Sequence, residues 1–597
     1  MLKRFFLNAL SSFVGAWIAL GLFGVVIFIV LIGIASRLGV QSSSQGLKSN
    51  SIFKITLSGT IEESEKSREI DPQELLMNGS VERPMTLNGL VQALAEAKVN
   101  KNIKLLYFDC QGVSASPATL NALREAVEDF KKSGKPVYAY ADYMQQGDYF
   151  VTSLADSIFV NPRGALDLHG VGGTVPYFKD LFDKLGVTFT VCKVGTFKSA
   201  VEPYISNTMS DPARAQLDTL YGNMWRYIKN GIAKGRKIKP EEIDALMNEG
   251  MTFIMPLERM VKGKLVDRLL YRRQMDQVLG RASGQDPEKL NFVGPEELIS
   301  QTDWGTAYSS KRQVAVLYAT GEIREGSKDG IDCETLVPVI TELADDDNVK
   351  ALVMRVNSPG GSVFGSEQIA EALNYFKSKG KPFVVSMGDY AASGGYWISA
   401  DAERIFADPL TVTGSIGIFG LFPDISGLLA KVGVSPQTVT TNPGAMPPGL
   451  MTRMTDSQRA QFQTYIDRGY DQFIERVAKG RKMSEAKVRV IAEGRVWDGE
   501  TAKKLGLVDE LASLGKAVEY AAGKAGLKAD NYDVALYPTF EPGIWDLIPL
   551  GAELGLEKVM ERYMTQVEPN EPLLRKGLEI VSRKPIQARA LEVSISL

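Results

Sequence analysis

The chain contains IKLLYFDCQGVSASPATLNALREAVEDFKKSGKP, residues 103–136, and a second version of the same segment further on. The second version, VKALVMRVNSPGGSVFGSEQIAEALNYFKSKGKP, covers residues 349–382 and aligns to the first without a gap. Each version starts as a short apolar strand, passes through a polar turn and continues as an amphipathic helix. Strands that alternate with helices in this way predict parallel α/β structure.

The similarity continues beyond these segments. Residues 142–162 match residues 389–409 after a one-residue insertion in the second copy. The repeat is far longer than the roughly 20 to 50 residues of a solenoid unit, so each copy should be a domain with its own core. We place the first repeat at residues 51–275 and the second at residues 311–525.

The remaining segments complete the predicted domain organisation. They are a cytoplasmic tail (1–8), a transmembrane signal anchor (9–36), a linker (37–50), a second linker (276–310) and a C-terminal tail (526–597). The anchor is predicted because no charged residue occurs from Phe5 to Ser36. A helix of this length spans a hydrocarbon core of about 30 Å and exceeds the roughly 7 to 15 apolar residues of a cleaved signal peptide.

Charges around the anchor predict its orientation. Lys3 and Arg4 precede it, whereas basic residues behind it are sparser. The positive-inside rule then leaves the short tail in the cytoplasm and the body of the protein on the outer, periplasmic side.

The composition excludes several classes of function. The 68 basic residues are balanced by 71 acidic ones, which leaves no excess charge to neutralise nucleic-acid phosphates. Cys110, Cys192 and Cys333 form no CxxC pair, so neither a disulfide framework nor a thiolate zinc site is expected. His169 is the only histidine, which excludes multi-histidine metal sites and leaves a Ser-His-Asp triad one possible base. We expect no metal and no cofactor.

Positions at which the two repeats differ point to chemistry, because shared positions can be explained by the shared fold. The second repeat has Asn-Ser-Pro-Gly-Gly-Ser at residues 357–362, where the first has Gln-Gly-Val-Ser-Ala-Ser at residues 111–116. Gly360 and Gly361 can expose backbone N–H groups to an oxyanion at this strand-to-helix turn. A glycine-rich loop is weak evidence when it stands alone.

Ser393 is the second difference. It lies among small residues at a predicted helix start, where the N–H of Gly394 would face a carbonyl under attack. Serine is also a common helix N-cap, which is the alternative interpretation. The first repeat has Gln146 at the equivalent position, although a cap that the fold required should have remained Ser, Thr, Asp or Asn. We therefore predict that Ser393 is a nucleophile.

Lys198 is the candidate base, and it lies in the first repeat opposite Ala445 of the second. Most lysines are solvated surface charges. Here, however, one repeat carries the candidate nucleophile and the other the candidate base. Burial can lower a lysine pKa from about 10.4 far enough for the amine to act as a base. Ser415 is a candidate to hold this amine, and a turn serine is an equally good interpretation of it.

The chain itself should bring Ser393 and Lys198 together. The linker at residues 276–310 is long enough to span one domain at about 3.3 Å per extended residue. We therefore expect both residues of each pair to come from the same chain.

Four motifs carry a resemblance to a known family. NSPGGSV, MGDYAASGGYWIS, TGSIGIFG and VGTFKSAVEP resemble the motifs of the long form of bacterial signal peptide peptidase, the protease IV family. The resemblance implies that Ser393 is the nucleophile and Lys198 the base of a Ser/Lys dyad. It also implies a ClpP/crotonase-like fold for each repeat and a homotetramer. The chain departs from the family pattern at Asp389-Tyr390 and beyond residue 525.

Three functions remain open from the sequence. The first is a membrane-anchored serine endopeptidase that cleaves short apolar peptides, such as remnant signal peptides, at the bacterial cytoplasmic membrane. The second is a crotonase-like lyase or isomerase, which would explain the glycines but not the difference between Ser393 and Gln146. The third is a catalytically idle membrane-associated scaffold.

Overall fold

A computed structural model describes most of the chain after the predicted anchor. The described residues are 47–63, 85–299, 311–327, 330–442, 444–446, 448–529, 531–538 and, for their backbone, 586–589. The predicted cytoplasmic tail and transmembrane anchor therefore lie outside the described residues. Within the described part, none of the helices combines the length and apolar character that a bilayer crossing requires.

The first repeat alternates strands and helices as its sequence predicts. Its described strands are β1 (Ser51–Glu62), β2 (Met85–Thr86), β3 (Ile103–Ser114), β4 (Val137–Met144), β5 (Ser157–Leu166), β6 (Thr188–Lys193), β7 (Arg268–Leu269) and β8 (Phe292–Val293). Its described helices are α1 (Leu87–Val99), α2 (Pro117–Lys131), α3 (Gln146–Thr152), α4 (Lys179–Leu185), α5 (Glu202–Ile205), α6 (Asp211–Arg236), α7 (Pro240–Asn248), α8 (Leu257–Lys262), α9 (Arg272–Ser283) and α10 (Pro295–Ile299), with a 3₁₀ turn at Thr252–Ile254.

The second repeat follows the same plan. Its described strands, with the C-terminal segment, are β9 (Gln313–Thr320), β10 (Ile323–Arg324), β11 (Ile331–Asp332), β12 (Val349–Ser358), β13 (Gly360–Ser362), β14 (Phe383–Ala392), β15 (Arg404–Ala407), β16 (Val412–Gly414), β17 (Phe419–Asp424), β18 (Val496–Asp498), β19 (Glu510–Leu511), β20 (Asp533–Tyr537) and β21 (Ile586–Arg589). Its described helices are α11 (Cys333–Asp345), α12 (Val363–Ser378), α13 (Gly394–Trp397), α14 (Ser426–Lys431), α15 (Asp456–Gly480), α16 (Glu485–Ile491), α17 (Gly499–Leu505) and α18 (Leu514–Lys524).

The duplicated segment forms the same strand-turn-helix unit in both repeats. Ser116 caps α2 by accepting a hydrogen bond from the N–H of Thr119, and Ser362 caps α12 in the same way from Gly365. The preceding strands are largely buried, with eight of the twelve residues of β3 and eight of the ten residues of β12 in the interior. Strands covered on both faces read as continuous apolar runs, which is why these segments lack the alternation of a half-exposed strand.

Two mainly parallel sheets with matching strand order hold the two cores, and the second also contains β16 and the antiparallel strand β18. In the first repeat the order is β2-β1-β3-β4-β5-β7, with β8 beside β1. In the second, β9, β12, β14, β15 and β19 are neighbours in the corresponding order, with β20 beside β9. The structure thus contains the tandem α/β duplication that the sequence predicts. β8 lies in the predicted linker at residues 276–310, and β20 lies in the predicted C-terminal tail.

A third sheet joins the two repeats. Its strand order is β11-β10-β13-β21-β17-β6, and β6 of the first repeat runs antiparallel to β17 of the second. This pairing carries the loop that follows β6 into the second repeat.

Buried polar contacts also join the repeats. Arg355 donates to the carboxylate of Glu63 at 2.7 Å, and both side chains are less than 10% exposed. Asp389 accepts from both the backbone N–H and the hydroxyl of Thr119, at 3.0 and 2.8 Å. Removing one partner of a buried charged pair leaves the other charge unpaired, so these contacts fix how the repeats meet. Asp389, which departs from the family motif, therefore has a structural role at this boundary.

Candidate active site

Ser393 occupies a strained turn between β14 and α13. Its backbone angles are φ +56° and ψ −116°, a conformation that costs a residue other than glycine about 1–3 kcal/mol. Its N–H donates to the carbonyl of Gly414 at 2.8 Å, which holds the turn in place. The side chain makes no capping hydrogen bond to α13. The helix-cap interpretation is therefore wrong, and the hydroxyl is left for another partner.

That partner is Lys198. The Nζ atom of Lys198 lies 2.8 Å from Oγ of Ser393, within one chain and across the boundary between the repeats. Nζ also lies 3.1 Å from Oγ and 3.3 Å from the carbonyl oxygen of Ser415. Lys198 is 1% exposed and Ser393 is completely buried. The structure thus brings together the three side chains that the sequence singled out.

Burial sets the protonation of this lysine. Removal from water lowers the pKa of Lys198 well below its usual value, because the protonated amine loses its hydration. The ring of Phe419 lies 5.9 Å from Nζ and forms part of the wall around it. A neutral amine next to a serine hydroxyl can accept its proton, and this is the requirement for a general base.

A loop of the second repeat holds Lys198 in place. Glu493 accepts hydrogen bonds through its carbonyl from the N–H of Phe197, at 2.9 Å, and through its carboxylate from Thr196. Gly494 has φ +71°, and a Cβ atom there would lie 2.7 Å from Cβ of Lys198. Only glycine fits so close to the lysine, so residues 493–494 are part of the site.

Sequence reasoning missed this loop. One signal was present, because a Glu-Gly pair occurs at residues 249–250 and again at residues 493–494. Both glycines have positive φ values, +143° at Gly250 and +71° at Gly494. The repeated pair indicates a turn that both repeats share. The contact of Gly494 with Lys198 is visible only in three dimensions.

The predicted oxyanion glycines lie beside Ser393, with different roles. Gly361 has φ +149°, and a Cβ atom there would lie 2.1 Å from the carbonyl oxygen of Ile323. Gly394 is adjacent, since a Cβ atom on it would lie 3.2 Å from the backbone nitrogen of Gly361. The N–H of Gly360 already donates to Oγ of Ser358 at 3.2 Å. The arrangement favours Gly361 and Gly394 as oxyanion donors, with Gly360 shaping the turn.

The residues aligned with Ser393 and Lys198 in the opposite repeats, Gln146 and Ala445, have different surroundings from the candidate site. Gln146 is buried, and its side-chain oxygen accepts from the backbone N–H groups of His169 and Gly170 at 2.9 and 2.8 Å. The ring of His169 is exposed and lies 3.1 Å from Asp167. Ala445, aligned with Lys198, is an exposed loop residue. Neither the histidine nor Ala445 reproduces the environment of Lys198.

Comparison with known proteins identifies the family. The sequence profile of Peptidase family S49 matches residues 129–284 and 375–528, together just over half of the chain. The chain belongs to peptidase family S49. The two matched segments fall one in each repeat, so S49 domains occur here in tandem. A Clp protease profile also matches residues 307–408, in agreement with a ClpP-like fold for the second repeat.

Relatives of this S49 protein match along most of its length. Protease 4 of Haemophilus influenzae is 35% identical, with 84% of each chain covered. Protease 4 of Salmonella typhi is 34% identical, with 89% of this chain and 86% of the relative covered. These matches identify the long form of the family, protease IV, and a serine peptidase. Among solved structures, a mutant ClpP1 from Listeria monocytogenes aligns with 16% identity and a TM-score of 0.24, over 35% of this chain and 95% of that one.

Proposed function

We propose that this S49 peptidase hydrolyses peptide bonds with a Ser393/Lys198 dyad. The observation that carries the proposal is the 2.8 Å contact between Nζ of Lys198 and Oγ of Ser393, made by two buried side chains from different repeats. A solvated lysine would remain protonated at neutral pH, whereas burial lowers the pKa of this one.

The geometry supports a specific acylation step. Neutral Lys198 takes the proton of the Ser393 hydroxyl while Oγ bonds to the carbonyl carbon of the peptide. The backbone N–H groups of Gly361 and Gly394 stabilise the resulting oxyanion. The protonated lysine then gives its proton to the departing amine, the C–N bond breaks, and an acyl-enzyme remains on Ser393.

Deacylation reverses the roles around a water molecule. Lys198, neutral again, takes a proton from a water molecule as the water oxygen bonds to the acyl carbon. It then gives this proton to Oγ of Ser393 as the ester C–O bond breaks, which releases the acyl product and restores the neutral amine. Ser415 keeps the amine on the correct side of Ser393 through its two contacts with Nζ. Its role is therefore positioning, since it orients the base without touching the substrate.

The cellular setting is part of the proposal. The apolar run before residue 37 supports a single-pass anchor in the bacterial cytoplasmic membrane, with the peptidase on the periplasmic side. Resemblance to signal peptide peptidases supports short apolar peptides, such as remnant signal peptides, as substrates and a homotetramer as the assembly. Protease protection of a C-terminally tagged chain in spheroplasts tests the orientation. A tag that resists external protease would contradict it.

The pH dependence of peptide hydrolysis tests the dyad. Only the neutral lysine is active, so kcat/KM should rise about tenfold per pH unit below the pKa of Lys198 and level off above it. Because burial lowers this pKa, the plateau should begin well below pH 10. Fluorophosphonate labelling should modify Ser393 with the same pH dependence. A kcat/KM that does not fall at any acidic pH at which the protein stays folded would count against lysine as the base.

A further inference from the structure

Arg495 of the second repeat connects the loop that carries Lys198 to the turn that carries Ser393. It follows Gly494 and directly precedes β18. The Cζ atom of its guanidinium lies 4.8 Å from the centre of the Phe197 ring and 4.3 Å from the Trp497 ring. A guanidinium within about 6 Å of an aromatic ring is attracted by the face of the ring and can stack on it. These two contacts join a ring of the first repeat to a ring of the second.

The loop that carries Lys198 depends on contacts of this kind. Residues 194–200 connect β6 to α5 without a helix or strand. Thr196 is exposed and Phe197 is half-buried, whereas the next residue, Lys198, is 1% exposed. The amine therefore stays buried only while the outer part of the loop lies against the second repeat. Arg495 holds the ring that immediately precedes the lysine.

Arg495 also contacts the turn around the nucleophile. Its carbonyl oxygen accepts a hydrogen bond from the N–H of Ser415 at 2.7 Å. Trp497 packs against Gly414, where a Cβ atom would lie 2.8 Å from Cδ1 of the indole. The carbonyl of Gly414 in turn accepts from the N–H of Ser393. Arg495 and its aromatic partner thus reach both halves of the site.

The first repeat contains the same turn without an arginine. Glu249-Gly250-Met251 matches Glu493-Gly494-Arg495. Met251 is 63% exposed, so the duplicated fold accepts a solvent-facing methionine at this position. The fold alone therefore does not require an arginine here, just as it does not require Ser393.

We propose that Arg495 is a positioning residue for the Ser393/Lys198 pair, whose guanidinium holds the lysine's loop against the second repeat and keeps water away from the amine. The kinetic consequence of this role rests on the proposed peptidase function. The exclusion of water from the amine does not.

Hydration is the property of Lys198 that should change when Arg495 is replaced. Burial lowers the pKa of this lysine. The other charged residues around its loop contact different atoms, since Lys193 donates to the carbonyl of Lys198 at 3.4 Å and Glu493 accepts from Thr196. A loosened loop lets water reach the protonated amine, which raises its pKa towards about 10.4.

Arg495→Ala should therefore change the pH dependence of peptide hydrolysis more than its maximum. The acidic limb of kcat/KM should move up by about one pH unit, which lowers kcat/KM about tenfold on that limb and leaves the alkaline plateau near that of the wild type. Arg495→Lys keeps the charge without the planar group and should show the same shift. The matched control is Arg468→Ala, because Arg468 is an exposed arginine of α15 that lies 5.5 Å from the Tyr465 ring.

A double variant tests whether the contact with Phe197 carries the effect. If it does, Phe197→Leu/Arg495→Ala should shift the acidic limb no further than Arg495→Ala alone, because both changes remove the same contact. An acidic limb that does not move in Arg495→Ala would overturn the proposal. So would a double variant whose shift equals the sum of the two single shifts.

Trace acetylation tests the hydration of the amine without turnover. Isotope-labelled acetic anhydride is applied at several pH values, and peptide mapping gives the titration of Lys198 in Ser393→Ala and in Ser393→Ala/Arg495→Ala. The midpoint should lie about one pH unit higher in the double variant. An unchanged midpoint would overturn the role of Arg495, whatever the activity of the wild type. A shifted midpoint in a protein that hydrolyses no peptide would support this role and count against the proposed peptidase function instead.

Discussion

The two repeats contain the same strand-to-helix turn but differ in the residue that packs against it. In the first repeat the carboxylate of Asp148 accepts hydrogen bonds from the backbone N–H groups of Gly112 and Val113, at 3.1 and 3.0 Å. In the second repeat the equivalent residue is Gly395, where a Cβ atom would lie 2.7 Å from the carbonyl oxygen of Ser358. The first repeat therefore fills its turn with the side chain of Asp148, whereas the second repeat has a glycine at this position and no side chain there.

The comparison teaches that the fold does not require the second repeat's residues at these positions. Gln146 and Asp148 are completely buried and hydrogen-bonded, as groups in a structural role should be. Ser393 is equally buried, but its backbone is strained and its hydroxyl faces an amine. Strain combined with a buried amine costs stability, and such a cost is expected at a functional site.

The largest expected effect comes from replacing Ser393 with alanine and comparing this variant with the same replacement at the aligned residue, Gln146. Ser393→Ala should lower kcat for peptide hydrolysis by at least about 10³-fold while the chain remains folded, because the nucleophilic oxygen is gone. Gln146→Ala, at the equivalent position, should instead leave kcat near that of the wild type and lower the free energy of unfolding by about 1–3 kcal/mol. Steady-state kinetics and urea denaturation measure the two effects. Similar kcat losses in both variants would break the comparison.

Loss of the base should be almost as severe. Lys198→Ala should lower kcat by about 10²- to 10⁴-fold, the usual contribution of a general base. Lys198→Arg should not restore activity, because a guanidinium stays protonated and cannot accept the serine proton. Lys132→Ala, on the exposed end of the first repeat's α2, serves as the control. Recovery of activity with arginine would mean that Lys198 acts only through its positive charge.

A smaller effect is expected at Asp148, the buried acid of the first repeat, where replacement should change the pH dependence of stability. Burial raises the pKa of Asp148 to about 7, so the folded state holds this proton more tightly than the unfolded state. The stability that the protonated group contributes is complete below about pH 4 and is lost as the pH rises towards 7. The slope that Asp148 contributes to the free energy of unfolding, up to about 1.4 kcal/mol per pH unit, should be lost in Asp148→Asn, whereas the slope from Asp408, whose pKa burial raises to about 8, should remain.

Urea denaturation at several pH values measures this slope. Asp471→Asn is the control, because Asp471 is an exposed acid on α15 of the second repeat and should leave the slope in place. If the slope in Asp148→Asn were the same as in the wild type, Asp148 would not contribute to it, and another buried acid such as Asp408 would account for it.

The smallest expected effect is at the only histidine. His169→Gln should change kcat/KM by less than about twofold, because the ring is exposed and its hydrogen-bonding partner is Asp167 in the first repeat. The assay is the same peptide hydrolysis, with Ser393→Ala as the inactive reference. A large loss of turnover in folded His169→Gln protein would revive a histidine mechanism.

Duplication explains why much of the site could be predicted from sequence. Ser393 and Lys198 each align with a chemically different residue of the other repeat. The structure brings Ser393 and Lys198 into contact. The role of Gly494 depends on a positive φ and on contact with a lysine nearly 300 residues earlier in the chain, which no local pattern contains. Short strands were missed for a related reason. Phe292–Val293 and residues 586–589 are too short for periodicity to reveal, and partner strands distant in sequence define them.

The contact between Lys198 and Ser393 also sets when the site can form during synthesis. The ribosome makes Lys198 first, and Ser393 follows 195 residues later. At about 5–20 residues per second, the nucleophile emerges roughly 10–40 seconds after the base. Glu493, which holds the loop around Lys198, is made later still. A nascent chain therefore cannot form the contact between Lys198 and Ser393 until about two thirds of its length has been translated.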